Sequence, residues 1–221
     1  MIITSGATVN ATSVSSFIAT SGTSNAGTAT LNSASGGSTI TMSNSNSGGY
    51  ALVGAAGVDI LTGGTGADTI TGGGNNDALT GGAGNDTFNV DSGSDTVSDL
   101  TTGDILVVSS GATASATNIS SFTANASTNN AGTAILTASS GGGAIDLSSA
   151  GGSSAYTIVG GAGTDTLRGD DGGDTLTVAA AGEGNSDTFD GDAGSDTIQL
   201  STGSHTFSND SNVVNVEIVQ A

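Results

Sequence analysis

The 221-residue chain sets twenty acidic residues against one basic residue, Arg168, and one histidine, for a formal charge of −19 at pH 7. That balance argues against nucleic acid and anionic membranes as partners, since cationic patches hold both. Cysteine is absent, which excludes thiol catalysis and a disulfide scaffold, and no apolar run approaches the roughly 20 residues that span a bilayer.

Residues 1–58 carry no acid and are rich in Ser, Thr, Ala, Asn and Gly. Within them ATVNATSV (Ala7–Val14), TATLNS (Thr28–Ser33) and STITMS (Ser38–Ser43) alternate small polar with apolar residues. Alternation with β-branched side chains predicts short strands, and SGTSNAG and SASGG read as the turns between them. A disordered low-complexity linker is the alternative. No segment has useful helical periodicity.

At Gly54 the grammar changes. GAAGVDILT (Gly54–Thr62), GGTGADTIT (Gly63–Thr71), GGGNNDALT (Gly72–Thr80) and GGAGNDTFN (Gly81–Asn89) are consecutive nine-residue blocks. Each has an acid at the sixth place and an aliphatic or aromatic residue at the eighth. The first six residues of a block suit a turn and the last three a short strand whose eighth-place residue faces inward. Two blocks make one coil, so alternate blocks stack about 4.8 Å apart, the architecture of a parallel β-roll.

Carboxylates eighteen residues apart should then meet: Asp59 with Asp77, Asp68 with Asp86, Asp77 with Asp95, and more weakly Asp86 with Asp104. Oxygen-only ligands at high coordination number suit Ca²⁺. The candidate metal residues of this stretch are Asp59, Asp68, Asp77, Asp86 and Asp95, with the turn residues Gly57, Gly64, Gly66, Gly73, Asn75, Gly82 and Gly84. Asn75 takes the place of a fourth-position glycine, and Asn tolerates left-handed geometry.

The plan then repeats. SGATVNATSVSSFIATSGTSNAGTATL (Ser5–Leu31) aligns without a gap on SGATASATNISSFTANASTNNAGTAIL (Ser110–Leu136), and Tyr50 falls on Tyr156 after a one-residue adjustment. Because Phe, Leu, Ile and Tyr keep their places, the Ser/Thr-rich halves read as ordered strands. A second set of blocks follows: Gly160–Arg168, Gly169–Thr177, Gly182–Asp190 and Gly191–Gln199, with a four-residue insertion at 178–181. It adds Asp165, Asp174, Asp187, Asp196, Gly161, Gly163, Gly172 and Gly194 to the candidates, pairing Asp165 with Asp187 and Asp174 with Asp196. Asn185, like Asn75, stands at a fourth position. Asp170, Asp171, Asp190 and Asp192 lie off the key place and read as surface or auxiliary acids. Roughly 4–7 ions are expected in all.

Two units result: 1–105, with strands over 1–53 and a roll over 54–104, and 106–221. The second has strands over 106–159, a roll over 160–200 and a final strand within 201–221. Both ends fall mid-pattern, so the chain reads as a slice of a longer array.

The nonapeptides resemble the RTX, or hemolysin-type, calcium-binding repeats of secreted Gram-negative proteins. The longer plan, with LTTGD, SGAT, NAGTA and YTIVGGAGTDTL segments, resembles the repeat region of Caulobacter-type bacterial surface-layer proteins. The resemblance implies type I secretion of an unfolded chain, folding in extracellular calcium, and self-association into a lattice or array at the cell surface.

Nothing in the sequence equips an enzyme. His205 has no second His, Lys or Cys to work with and reads as a surface turn residue; no G-x-S-x-G elbow or phosphate loop occurs. Tyr50 and Tyr156 read as packing or edge-capping residues. The leading expectation is a structural, calcium-dependent building block. The alternatives are a repeat segment of a large adhesin, or an ice- or carbohydrate-binding solenoid suggested by the triplets Thr28–Thr30 and Thr39–Thr41.

Overall fold

The computed structural model describes residues 1–179, 186–202, 205, 207 and 212–221. All its regular elements are short strands, and every strand pairing is parallel. The chain is a β-solenoid, as the nonapeptide periodicity requires. Among the described residues no helix is long and apolar enough to cross a membrane.

The coil changes cross-section along its length. Strands Ile2–Ile3, Thr8–Val14 and Ser16–Ile18 lie on three different sheets, and Ser24–Asn25, Thr28–Ser33 and Thr39–Thr41 stack on them in the same order. These coils are three-sided and long: Thr8 pairs with Thr28, and Phe17 with Ile40. From Ala51–Val53 onward the third side disappears, and strands alternate between a seven-stranded and an eleven-stranded sheet. Leu52 now pairs with Ile70, Ile70 with Phe88, and Leu61 with Leu79, each eighteen residues on. The cause is local. A nonapeptide supplies one turn and one three-residue strand, so two of them close a flat coil. The longer Ser/Thr-rich strands need another corner.

That corner is built the same way in both units. Ser13 (φ 56°) and Asn118 (φ 61°) hold left-handed backbone where the register slips, between Ala11 and Val14 and between Ala116 and Ile119. Each bulge re-aims the strand toward the next face. Three-sided coils return at Ile105–Val108, Thr113–Ile119 and Ser121–Thr123, and the second roll then alternates between the eleven-stranded sheet and a five-stranded one. Corresponding strands have moved round by one face. Thr8–Val14 lies in the seven-stranded sheet, whereas Thr113–Ile119 lies in the eleven-stranded one.

The interior is a set of columns rather than a globular core. Leu31, Leu52, Ile70, Phe88 and Leu106 stack along one face and Ile40, Leu61, Leu79 and Val97 along the opposite one, all fully buried. One inward side chain per strand suffices, because each coil rests on its neighbours. The fold therefore fixes what lines the edges: turns whose sixth residue is held in register with the turn one coil away.

Candidate metal centre

Two stacks of turns flank the first roll. One carries Tyr50, Asp68, Asp86 and Asp104 in successive coils; the other carries Asp59, Asp77 and Asp95. Every aspartate in both stacks is buried. Each stack is knitted by one repeated bond, in which a backbone N–H at the sixth place donates to the Oδ1 of the aspartate one coil on. The distances are 2.6 Å for Tyr50 to Asp68, 2.7 Å for Asp68 to Asp86 and 2.8 Å for Asp86 to Asp104. On the other edge they are 2.8 Å for Asp59 to Asp77 and 3.0 Å for Asp77 to Asp95.

The second unit repeats the ladder. Tyr156 N–H donates to Asp174 at 2.7 Å, Asp174 to Asp196 at 2.7 Å, and Asp196 to the Glu217 Oε2 at 2.7 Å. On its other edge Gly143 donates to Asp165 at 2.7 Å and Asp165 to Asp187 at 2.8 Å. All the expected pairs are thus brought together, including the weaker one of Asp86 with Asp104. One detail differs from expectation. The later carboxylate of each pair accepts from the backbone N–H of the earlier aspartate, so the two do not simply face across a gap.

What remains is the second oxygen of each carboxylate. In Asp68 it accepts from Gly64 N–H at 2.6 Å, and in Asp174 from Asp170 N–H at 2.8 Å. Asp59 Oδ2 takes the Ser33 hydroxyl at 3.1 Å and Ala55 N–H at 3.2 Å. Asp77 Oδ2, Asp95 Oδ2 and Asp196 Oδ2 are buried with no hydrogen-bond partner. A buried anionic oxygen without a donor is strongly unfavourable, so these atoms fit a bound cation. Among the described residues no three acidic side chains converge on one point. A calcium ion would therefore take one or two of these carboxylates and complete its shell with backbone carbonyls.

Burial and like charge leave their mark on protonation. Burial pushes Asp86 up to about 6 and Asp95 and Asp174 up to about 7, the backbone N–H bonds oppose the rise, and neighbouring carboxylates add to it. Asp68, Asp77, Asp104 and Asp196 are raised for the same leading reason.

Close stacking dictates the glycines. A Cβ on Gly84 (φ +139°) would lie 2.4 Å from the Gly66 carbonyl oxygen, and one on Gly66 2.5 Å from that of Gly48. Gly57, Gly73, Gly82, Gly163, Gly194 and Asn75 also have positive φ. Gly64, Gly161 and Gly172 do not, and crowding alone selects them.

Residues 53–88, 62–97, 150–178 and 181–204 match the RTX calcium-binding nonapeptide repeat, in four copies that together cover less than half of the chain. Parallel coils with buried aspartates in glycine turns define a β-roll. Over those segments the chain carries RTX calcium-binding nonapeptide repeats. No curated protein and no solved structure matches it.

The third matched segment reaches back to residue 150, over GGSSAYTIV (Gly151–Val159), in which Tyr156 stands at the sixth place. SNSGGYALV (Ser45–Val53) is its counterpart. The tyrosines begin their stacks in the position of the aspartate, a signal visible in the sequence once these blocks are read as degenerate repeats. Glu217 and Asp104 continue the same stacks at their far ends. Asp99, which lies off the sixth-place pattern, caps the 81–86 turn, accepting from Gly81 at 2.8 Å and Gly82 at 2.7 Å.

Two expectations are corrected. Asp170, read as a surface or auxiliary acid, is buried, which removes the surface reading. His205 is half-buried, its Nε2 donating to the Ser201 carbonyl at 2.9 Å. Ala180, Ala181, Gly182 and Asn185 lie outside the described residues. Arg168 spans Asp190 and Asp192 at 3.2 Å each, with a side chain 40% exposed. Exposed pairs contribute little, so Arg168→Ala should destabilise the calcium-loaded chain by less than about 1 kcal/mol. Thermal denaturation would show this as a shift below about 4 °C.

Proposed function

We propose that this chain is a structural repeat segment of a secreted bacterial surface protein, folding and assembling on extracellular calcium. The observation that carries the reading is the pair of buried, register-locked aspartate stacks, which need cations to neutralise them. At low cytosolic calcium such stacks resist forming, and the chain is held unfolded for export by a type I secretion system. At millimolar calcium the same residues, Asp59, Asp68, Asp77, Asp86 and Asp95 with Asp165, Asp174, Asp187 and Asp196, join coil to coil. Residues 1–105 and 106–221 then act as two copies of one building unit in a surface layer or filament.

Assembly is the test. Negative-stain microscopy and light scattering on the chain, with and without about 5 mM calcium, should show ordered sheets or filaments only with calcium. A calcium-folded chain that stays monomeric at every concentration would contradict the lattice reading and favour a stalk segment of an adhesin.

A further inference from the structure

We propose that Asp170 is an additional calcium ligand, giving the site between the turns at 147–155 and 169–174 a second carboxylate that its counterpart in the first unit lacks. The inference rests on the reading of the stacked turns as calcium sites. Asp170 stands at the second place of GDDGGD, where the first roll has Gly64. A Cβ on Gly64 would lie 2.4 Å from the Ser45 hydroxyl and 3.1 Å from the Met42 carbonyl, so a side chain at this place points into the preceding turn. In the second unit the residue at the Ser45 place is Gly151, and the residue at the Gly64 place carries a carboxylate.

That carboxylate has no partner for its charge. Asp170 is 1% exposed; its Oδ1 accepts Gly172 N–H at 2.8 Å, and its Oδ2 is buried without a hydrogen-bond partner. Its own N–H donates to Asp174 Oδ2 at 2.8 Å, which ties the two acids into one turn. Asp171, Asp196 and Asp192 add negative charge around it, and the one arginine is engaged with Asp190 and Asp192. A buried anion in such company calls for a cation. Calcium affinity rises with the number of charged ligands, so this site should be the tighter of the two counterparts.

The chain has two tyrosines and no tryptophan, and the charges of Asp170 and Asp174 both act on Tyr156. Terbium, a calcium surrogate, luminesces when excited through a nearby tyrosine, so each tyrosine can report its own turn. The full chain carrying Tyr50→Phe would be titrated with terbium, alone and with Asp170→Asn or Asp170→Gly. Asp170→Gly restores the residue found in the first unit. Circular dichroism in saturating calcium confirms that each variant folds. Both substitutions should weaken the Tyr156-reported binding on the order of tenfold. The Tyr50-reported binding, measured in a Tyr156→Phe chain, should not change. Unchanged Tyr156-reported affinity in both Asp170 variants would overturn the proposal. Absence of luminescence from either tyrosine, in a chain that folds without calcium, would instead overturn the calcium reading itself.

Discussion

Chelation of calcium at pH 7.5 is expected to abolish most of the β-sheet circular dichroism, and restoring millimolar calcium to bring it back. Few large apolar side chains are present, and 38 of 221 residues are glycine, whose ordering costs the most backbone entropy. Against that cost the apo fold must also bury stacked aspartates. Calcium binds only the folded arrangement of turns, so its binding free energy becomes folding free energy. The same physics fixes a pH dependence. Asp86, Asp95 and Asp174 have folded values of about 6, 7 and 7, above the ordinary carboxylate value of about 4. Between those values the folded state holds more protons than the unfolded one, so apo stability falls as pH rises from about 4 through 7. In chelator, β-sheet signal should therefore increase on going from pH 8 to pH 5. With calcium present the trend reverses, because protons compete with the ion for the same oxygens. A chelated chain equally folded at both pH values would contradict this.

Asp86→Ala is expected to be the most damaging single change at the first roll. Asp86 sits mid-stack, accepting from Asp68 N–H at 2.7 Å and donating its own N–H to Asp104 at 2.8 Å. Removing its carboxylate leaves the Asp68 N–H buried without an acceptor, a cost of about 1–3 kcal/mol before any ion is counted. It also takes a charged ligand from the turn. Asp86→Asn separates the two effects, since the amide oxygen can still accept from Asp68 while the charge is gone. The expected order of calcium midpoints for folding is wild type lowest, Asn intermediate and Ala highest. Asp91→Ala, at an exposed position outside the stacks, is the control: it removes only a charge near Asp95 and should move the midpoint far less than either Asp86 change. Isothermal calorimetry and circular dichroism on the four chains would measure this. An Asn variant as impaired as Ala would mean that charge alone, and not the cross-coil bond, sustains the stack.

The nonapeptides were legible because their chemistry is periodic. An acid every nine residues and an aliphatic two residues later can satisfy only one coil length, and the register Leu61 to Leu79 follows directly. The Ser/Thr-rich halves showed strands but not their three-sided path. The corners depend on Ser13 and Asn118 adopting left-handed backbone; Asn tolerates that geometry wherever it stands, and Ser gives no signal of it, so residue type does not place the corner. Tyr50 and Tyr156 are visible as duplicated residues at the sixth place of degenerate blocks, and the N–H bonds to Asp68 and Asp174 show that they begin the aspartate stacks. For Asp170 the sequence leaves surface and auxiliary places open. Its place in the block marks it as off-pattern, whereas its burial follows from the folding of its own turn, in which it bonds Gly172 and Asp174.

The central claim is that stacked turns hold the ions that fold the chain. Crystals grown in calcium and exchanged into terbium would locate those ions directly by anomalous scattering. Peaks are expected beside the unpartnered oxygens of Asp77, Asp95, Asp170 and Asp196, between turns one coil apart. Peaks confined to exposed acids such as Asp91, with the buried stacks vacant, would contradict the account.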